Sequence, residues 1–222
     1  MHILLFGASG HVGTGLAKLL SSDHRITGIV RRPPAAETSY QPLVVPRWVD
    51  DADEVISELA DAKTPPVDAV VAAIGGWYMD SPVLDRGLAK FDTDYEAYLR
   101  GHFTACAVSE RLAADRGTGR LTHLAFNGVA SVEALPGSGG ISVFGAAQKM
   151  LIEVAAAEST TVDFRELRVM APIGGDDRND LTGGVETIGL AEVAAAAAAI
   201  VDGADRFEVS TEIGPDHGGE NG

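Results

Sequence analysis

The chain has little with which to crosslink itself. A single cysteine, Cys106, stands among 222 residues, so no internal disulfide can form, which fits a reducing compartment. Its neighbours are apolar with helical spacing and show no pattern that stabilises a thiolate, so a buried packing role is expected. Basic residues are also scarce: 17 Lys and Arg stand against 32 Asp and Glu, for a net charge of −15. A field of that sign repels nucleic-acid phosphates and anionic membrane surfaces, so neither is an expected partner. No apolar run approaches the roughly eighteen residues that a bilayer span needs. The opening residues, Met1-His2-Ile3-Leu4-Leu5-Phe6-Gly7, have no basic leader ahead of a long apolar stretch, and the expectation is a cytoplasmic protein. No internal repeat is visible, and no His/Cys/Asp spacing resembles a metal site.

What is present is ordinary globular composition, 45% apolar and 22% charged, at a length suited to one core. Short apolar runs alternate with helical periodicity from end to end. Strands are expected over 3–6, 26–30, 43–49, 67–74, 121–126, 164–170 and 206–211. Pro46 marks the third of these as an edge or an irregularity, and the near-uninterrupted apolar run over 67–74 reads as a central strand covered on both faces. Helices are expected over 12–20, 52–62, 93–115, 144–157 and 190–201. The pattern predicts a single-domain α/β fold, a Rossmann-like doubly wound parallel sheet of about seven strands with helices on both faces. The domain is expected to span 1–214, with 215–222 a polar, glycine-rich disordered tail.

Between the first strand and first helix lies Gly7-Ala8-Ser9-Gly10-His11-Val12-Gly13, a G-x-x-G-x-x-G turn. Its setting is what a pyrophosphate site requires. Gly7 allows the sharp turn, Gly10 the close approach of backbone to phosphate, and Gly13 tight helix–strand packing, while the helix N-terminus offers free N–H groups. After the second strand, Arg31-Arg32 stand where an NAD-binding protein commonly has an acidic residue for the ribose 2′-OH. Two guanidiniums suit a 2′-phosphate, so NADP is the expected cofactor in preference to NAD, unless the pair is simply a solvated loop.

Over nearly its whole length the chain resembles the short-chain dehydrogenase/reductase family, in particular the extended and atypical members, some of which bind NADP without reducing anything. Ala72-Ala73-Ile74-Gly75 resembles the family's Asn-Asn-Ala-Gly segment, Asp51 fits the acidic position after the third strand, and Trp48 stands where many members have an aspartate at the adenine edge. Ala171-Pro172-Ile173-Gly174 resembles the Pro-Gly segment near the nicotinamide. The resemblance implies cofactor contacts from Gly7, Ser9, Gly10, His11, Val12, Gly13, Arg31, Arg32, Asp51, Ala73, Ile74, Gly75, Gln148 and Pro172.

The family's Asn, Ser, Tyr and Lys are all replaced. Their positions read Tyr98, Gly128, Phe144 and Gln148, with Lys149 one residue late and therefore turned by roughly 100° on the helix. Phe144 has no proton to give, and Gln148 carries no charge with which to depress a neighbour's pKa. The candidates for substitute chemistry are Tyr98, Asn127 and Gln148. Tyr98 either supplies the proton or fills the volume of a lost relay; Asn127 either orients a carbonyl or caps the loop at Gly128. His102, four residues beyond Tyr98, either supplies a proton or is a satisfied helix or interface histidine, and His123 reads as a packed strand residue. Gly75-Gly76-Trp77-Tyr78-Met79 reads as a mobile aromatic cover or a subunit contact, and Gly137-Ser138-Gly139-Gly140 as a flexible loop. Three functions stay open: an NADP(H)-dependent oxidoreductase on a small organic substrate with a non-standard proton donor; a non-redox isomerase, dehydratase or cyclase; and a non-catalytic cofactor sensor. A homodimer or homotetramer is expected from the resemblance and from the small-residue face of 144–157.

Overall fold

The computed structural model describes residues 1–114, 116, 119–174 and 186–215. Among them, seven strands form one parallel sheet: β1 (His2–Phe6), β2 (Arg25–Val30), β3 (Gln41–Val44), β4 (Ala69–Ala72), β5 (Leu121–Gly128), β6 (Val162–Val169) and β7 (Ser210–Ile213). Their spatial order is β3-β2-β1-β4-β5-β6-β7. The helices are α1 (His11–Leu20), α2 (Ala52–Asp61), α3 (Leu88–Tyr95), α4 (Gly101–Ala114), α5 (Gly140–Glu158) and α6 (Leu190–Val201).

Strand alternation assigns the helices to faces. Successive residues of β1 point to opposite sides, so Ile3 and Leu5 pack with Leu16 and Leu20 of α1 and with Val193 and Ile200 of α6. Leu4 and Phe6 pack the other way, in a second core with Val55 of α2, Val108 of α4 and Ile152 of α5. The middle of the sheet is thus buried on both faces, which is why β1 and β4 read as apolar runs. The chain winds outward from β1 to β3, then returns across β1 to begin β4. The carboxyl ends of β1 and β4 flank the gap at that reversal, where open α/β sheets bind ligands.

Several boundaries differ from expectation for local reasons. β3 stops at Val44 instead of running over 43–49, because the chain turns beyond it, the Trp48 amide donating to the Val45 carbonyl at 3.3 Å. Pro46 has no N–H with which to extend the ladder. β4 is confined to Ala69–Ala72, and β7 begins only at Ser210 because Ala204–Arg206 forms a 3-10 turn. α5 opens at Gly140, ahead of the expected start at 144. The single helix expected over 93–115 begins earlier, at Leu88, and changes type: the π-helical segment Glu96–Arg100 joins α3 to α4.

α5 is long and apolar enough to cross a bilayer by length and composition. It lies instead along the sheet, burying Ile141, Phe144, Gln148 and Ile152 while Val143, Met150 and Val154 face outward. Of the tail expected over 215–222, residues 216–222 lie outside the described residues.

Candidate dinucleotide-binding cleft

The phosphate turn is shaped by two glycines that tolerate no side chain. Gly7 sits at φ +77°, and a Cβ there would run into the Ala73 carbonyl; a Cβ on Gly13 would run into the Gly7 carbonyl. α1 therefore starts directly against the ends of β1 and β4. Its N-cap is Gly10, which has no side chain to satisfy the first-turn amides, and no acidic residue lies in that turn. Open amides with a helix dipole behind them form an anion site. The residues present fit a dinucleotide pyrophosphate.

That turn opens into a cleft of about 260 Å³ across the carboxyl ends of β4, β5 and β6. Of the expected site residues, Gly10, His11, Val12, Ala73, Ile74 and Gly75 line it, as do Tyr98, Asn127, Gly128, Gln148 and Pro172. Gly7 and Gly13 stand behind the turn. Ser9, Arg31, Arg32 and Asp51 do not line the cleft. Ser9, Arg31 and Arg32 are exposed, and the arginines leave β2 at the level of the phosphate turn, since Phe6 pairs with Ile29. Asp51 caps α2, its Oδ1 accepting from the amides of Asp53 (2.9 Å) and Glu54 (3.2 Å). Trp48 is buried, its ring 5.1 Å from that of Phe6. His11 donates from Nε2 to the Gly174 carbonyl at 3.1 Å, closing one wall of the cleft.

The segment after β4 is a strap with an anchored root. The Tyr78 hydroxyl donates to Asp94 Oδ2 at 2.7 Å and accepts the Gly140 amide at 3.0 Å. Arg86 pairs with Asp94 at 3.2 Å and Asp80 at 2.5 Å, and its guanidinium lies 4.3 Å from the Tyr78 ring centre. Burial, helped by the Asp94 hydrogen bond, pushes the Tyr78 phenol up to about 12. Trp77 is thereby held as part of the cleft lining. Gly137–Gly140, expected as a flexible loop, is the other half of this fastening: the Asp80 amide donates to the Gly137 carbonyl at 3.0 Å, and Ser138 is buried. These ties span distant stretches of sequence, so neither stretch reveals them alone. The buried Asp94 on an otherwise exposed helix is the signal they leave.

No family model and no curated protein matches the sequence. Solved structures do match. A short chain dehydrogenase from Bacillus anthracis str. Ames Ancestor superposes with a TM-score of 0.81 at 15% identity, covering 98% of this chain and 95% of that one. A gluconate 5-dehydrogenase from Burkholderia cenocepacia J2315, in complex with NADP and tartrate, gives 0.80 at 16% identity, covering 98% and 94%. A short chain dehydrogenase from the same organism, in complex with NADP, gives 0.75 at 18%, covering 96% and 87%. This chain has the short-chain dehydrogenase/reductase fold.

On that fold, Tyr98, Gly128 and Gln148 line the cleft and Phe144 does not. Phe144 is buried outside the cleft, its ring packed on Phe91 (4.8 Å) and Tyr95 (5.9 Å). Gln148 lines the cleft but donates its amide to the Phe126 carbonyl at 2.7 Å, tying α5 to β5. Lys149 points elsewhere and pairs with Glu153 at 2.6 Å. Asn127 acts as the loop cap: its Oδ1 accepts the Gly128 amide at 2.9 Å, and its Nδ2 donates to the Gly145 carbonyl (3.0 Å) and to Glu166 Oε1 (2.7 Å). Both amide protons are engaged within the protein.

Tyr98 is different. It lies beside Gly75 and Gly76, lines the cleft, and has no hydrogen-bond partner for its hydroxyl among the described residues. Burial raises its pKa, with the nearby Tyr78 and Asp94 adding to the effect, so the phenol keeps its proton. His11 and Tyr98 are the ionisable side chains among the described lining residues. His102 is fully buried against the Ile74 carbonyl (3.2 Å), and burial lowers its pKa to about 4. His123 is sealed beneath α4 with Ser109 (2.7 Å) and Cys106, and burial lowers it to about 3 while raising Cys106 to about 12. Neither histidine reaches the cleft. Among the described residues no three His, Cys, Asp or Glu side chains are grouped to hold a metal ion.

Proposed function

We propose that this protein binds NADP(H) and acts as an oxidoreductase on a small organic substrate, with Tyr98 as its proton donor. The observation that carries the reading is that one cleft holds both the uncapped amides of α1 and an unpartnered phenol. Bound there, the nicotinamide would supply or accept a hydride. The first-turn amides of α1 hold the pyrophosphate, and Arg31 and Arg32 receive the 2′-phosphate. Asp51, Ala73, Ile74 and Gly75 border the adenosine side, and Gln148 and Pro172 the other. Tyr98 gives its proton to the substrate oxygen; burial keeps the phenol protonated, though a weaker acid than a free tyrosine. Trp77 covers an apolar substrate. Two NADP complexes among solved structures of this fold support binding of a nicotinamide dinucleotide.

The test is a fluorescence titration followed by a turnover screen. NADPH is expected to bind more tightly than NADH, and NADPH oxidation to depend on a carbonyl compound from a panel. Failure to bind either nucleotide removes the proposal. A second reading, a cofactor-binding protein without turnover, is favoured by the engagement of Asn127 and Gln148 within the fold; binding with no turnover across the panel would select it.

The outward Val143, Met150 and Val154 of α5, with the exposed Phe103 of α4, support pairing of two copies of the chain, as a homodimer or within a homotetramer. Light scattering on the eluting protein tests this, and a monomer mass rejects it. The acidic charge and buried thiol support a cytoplasmic protein whose partner is a small molecule.

A further inference from the structure

β6 carries four charged residues, and two of them, Glu166 and Arg168, are buried where apolar side chains are expected. Phe164, Glu166 and Arg168 alternate onto the face covered by α5, and only the first is apolar. Glu166 is fully buried, and the Arg168 side chain is 5% exposed. A buried ion pair is rarely worth more to stability than well-packed apolar side chains, so stability alone does not explain this one.

Its contacts lead to the cleft. Glu166 Oε2 accepts from Arg168 Nη2 (2.5 Å) and from the Ser210 hydroxyl (2.7 Å), while Arg168 Nη1 reaches Glu212 Oε1 at 2.6 Å, anchoring the pair to β7. Glu166 Oε1 accepts from Asn127 Nδ2. A carboxylate in this setting only accepts, so it dictates which end of the Asn127 amide faces it. The Asn127 oxygen is then directed to the Gly128 amide, and its second proton to the Gly145 carbonyl of α5. One carboxylate thus fixes the turn after β5 against the first half of α5. Gly128, Val129 and Ala130 on one side, and Gly145 and Gln148 on the other, border the cleft there.

We propose that Glu166, acting through Asn127, is a positioning residue that sets the cleft between β5 and α5 for the nicotinamide half of the dinucleotide. This rests on the cofactor reading above. The phosphate turn lies at β1, so the half that extends across β4 and β5 meets this wall, and the adenosine half does not.

The experiment compares NADPH with ADP, which lacks the nicotinamide half, in titrations of the full chain followed by fluorescence and calorimetry. Glu166→Gln is expected to weaken NADPH by about fivefold or more, the equivalent of one hydrogen bond, and to leave ADP within about twofold. Asn127→Ala, which leaves the ion pair intact, is expected to give the same split and serves alone if Glu166→Gln does not fold. The double variant is expected to be about as weak as the weaker single one, because both act on one contact. Parallel loss of NADPH and ADP, unchanged NADPH affinity, or additive effects would overturn the proposal. A wild-type protein that binds neither nucleotide would overturn the cofactor reading itself, an outcome distinct from binding with no split.

Discussion

At the phosphate end of the cleft the working groups are main-chain amides held open by glycine, whereas at the far end the polar side chains, Tyr98 apart, are tied to protein neighbours. Asn127 holds Gly128 and Gly145, and Gln148 holds Phe126. The first end depends on what is absent, since any Cβ at Gly7 or Gly13 would strike backbone. The second depends on what is bonded, since its shape follows from amides and a carboxylate fixed beneath the surface.

The largest effect expected from disturbing this contrast is at Gly13. Gly13→Ala forces the turn away from the helix, and overpacking of this kind costs about 1–3 kcal/mol of stability. NADPH affinity should fall by roughly a hundredfold as the amides lose alignment; calorimetric titration and thermal unfolding measure both, and retained affinity would break the comparison from its better understood side. Tyr98→Phe should lower turnover by about tenfold or more, at the low end of acid–base contributions, with NADPH affinity unchanged. Full activity in that variant would leave the far end without a proton donor. Replacing both Arg31 and Arg32 by Ala should erase the preference for NADPH over NADH, with little change for NADH. An unchanged preference would show that the 2′-phosphate is read elsewhere.

Acid sharpens the comparison more gently. Burial holds His102 at about 4 and His123 at about 3, against 6.5 for a free imidazole. Below about 6.5 the unfolded chain takes up protons that the folded chain refuses, so stability falls as pH drops, by up to about 1.4 kcal/mol per unit per histidine. Thermal midpoints should be flat from pH 7 to 8 and decline below 6.5, and His102→Gln should flatten that decline. The smallest effect is expected for Phe144→Tyr. Restoring a hydroxyl to a ring packed on Phe91 and Tyr95 should lower the thermal midpoint by a few degrees, about 1 kcal/mol, without raising turnover.

How much of this is legible in the sequence depends on the range of the interaction. Gly7, Gly10 and Gly13 announce their turn because the signal is local: a strand before, a helix after, and fixed spacing between. The parallel sheet is legible because both its faces are buried, which leaves long apolar runs such as that ending at Ala72. Glu166 and Arg168 leave only a faint trace, because Asp163 and Arg165 of the same strand are charged too and only partly buried, and the buried pair's partners Asn127, Ser210 and Glu212 lie on two other strands. The fastening of Tyr78 by Asp94 and Arg86 is hidden for the same reason. Tyr98 could be placed on a helix from its spacing, but not turned correctly within it, because periodicity assumes a regular α-helix and Glu96–Arg100 is not one.

That widened turn has a consequence for how this end of the molecule can change. A π segment amounts to one residue accommodated within an otherwise α-helical course, and such insertions recur at functional sites. Removing a single residue from it would rotate everything upstream by roughly 100° while leaving α4 docked on the sheet. The phenol would swing off the cleft, and a different side chain would take its place. Reach and aim at this position are thus adjustable by length, one residue at a time, without altering any residue of the core beneath.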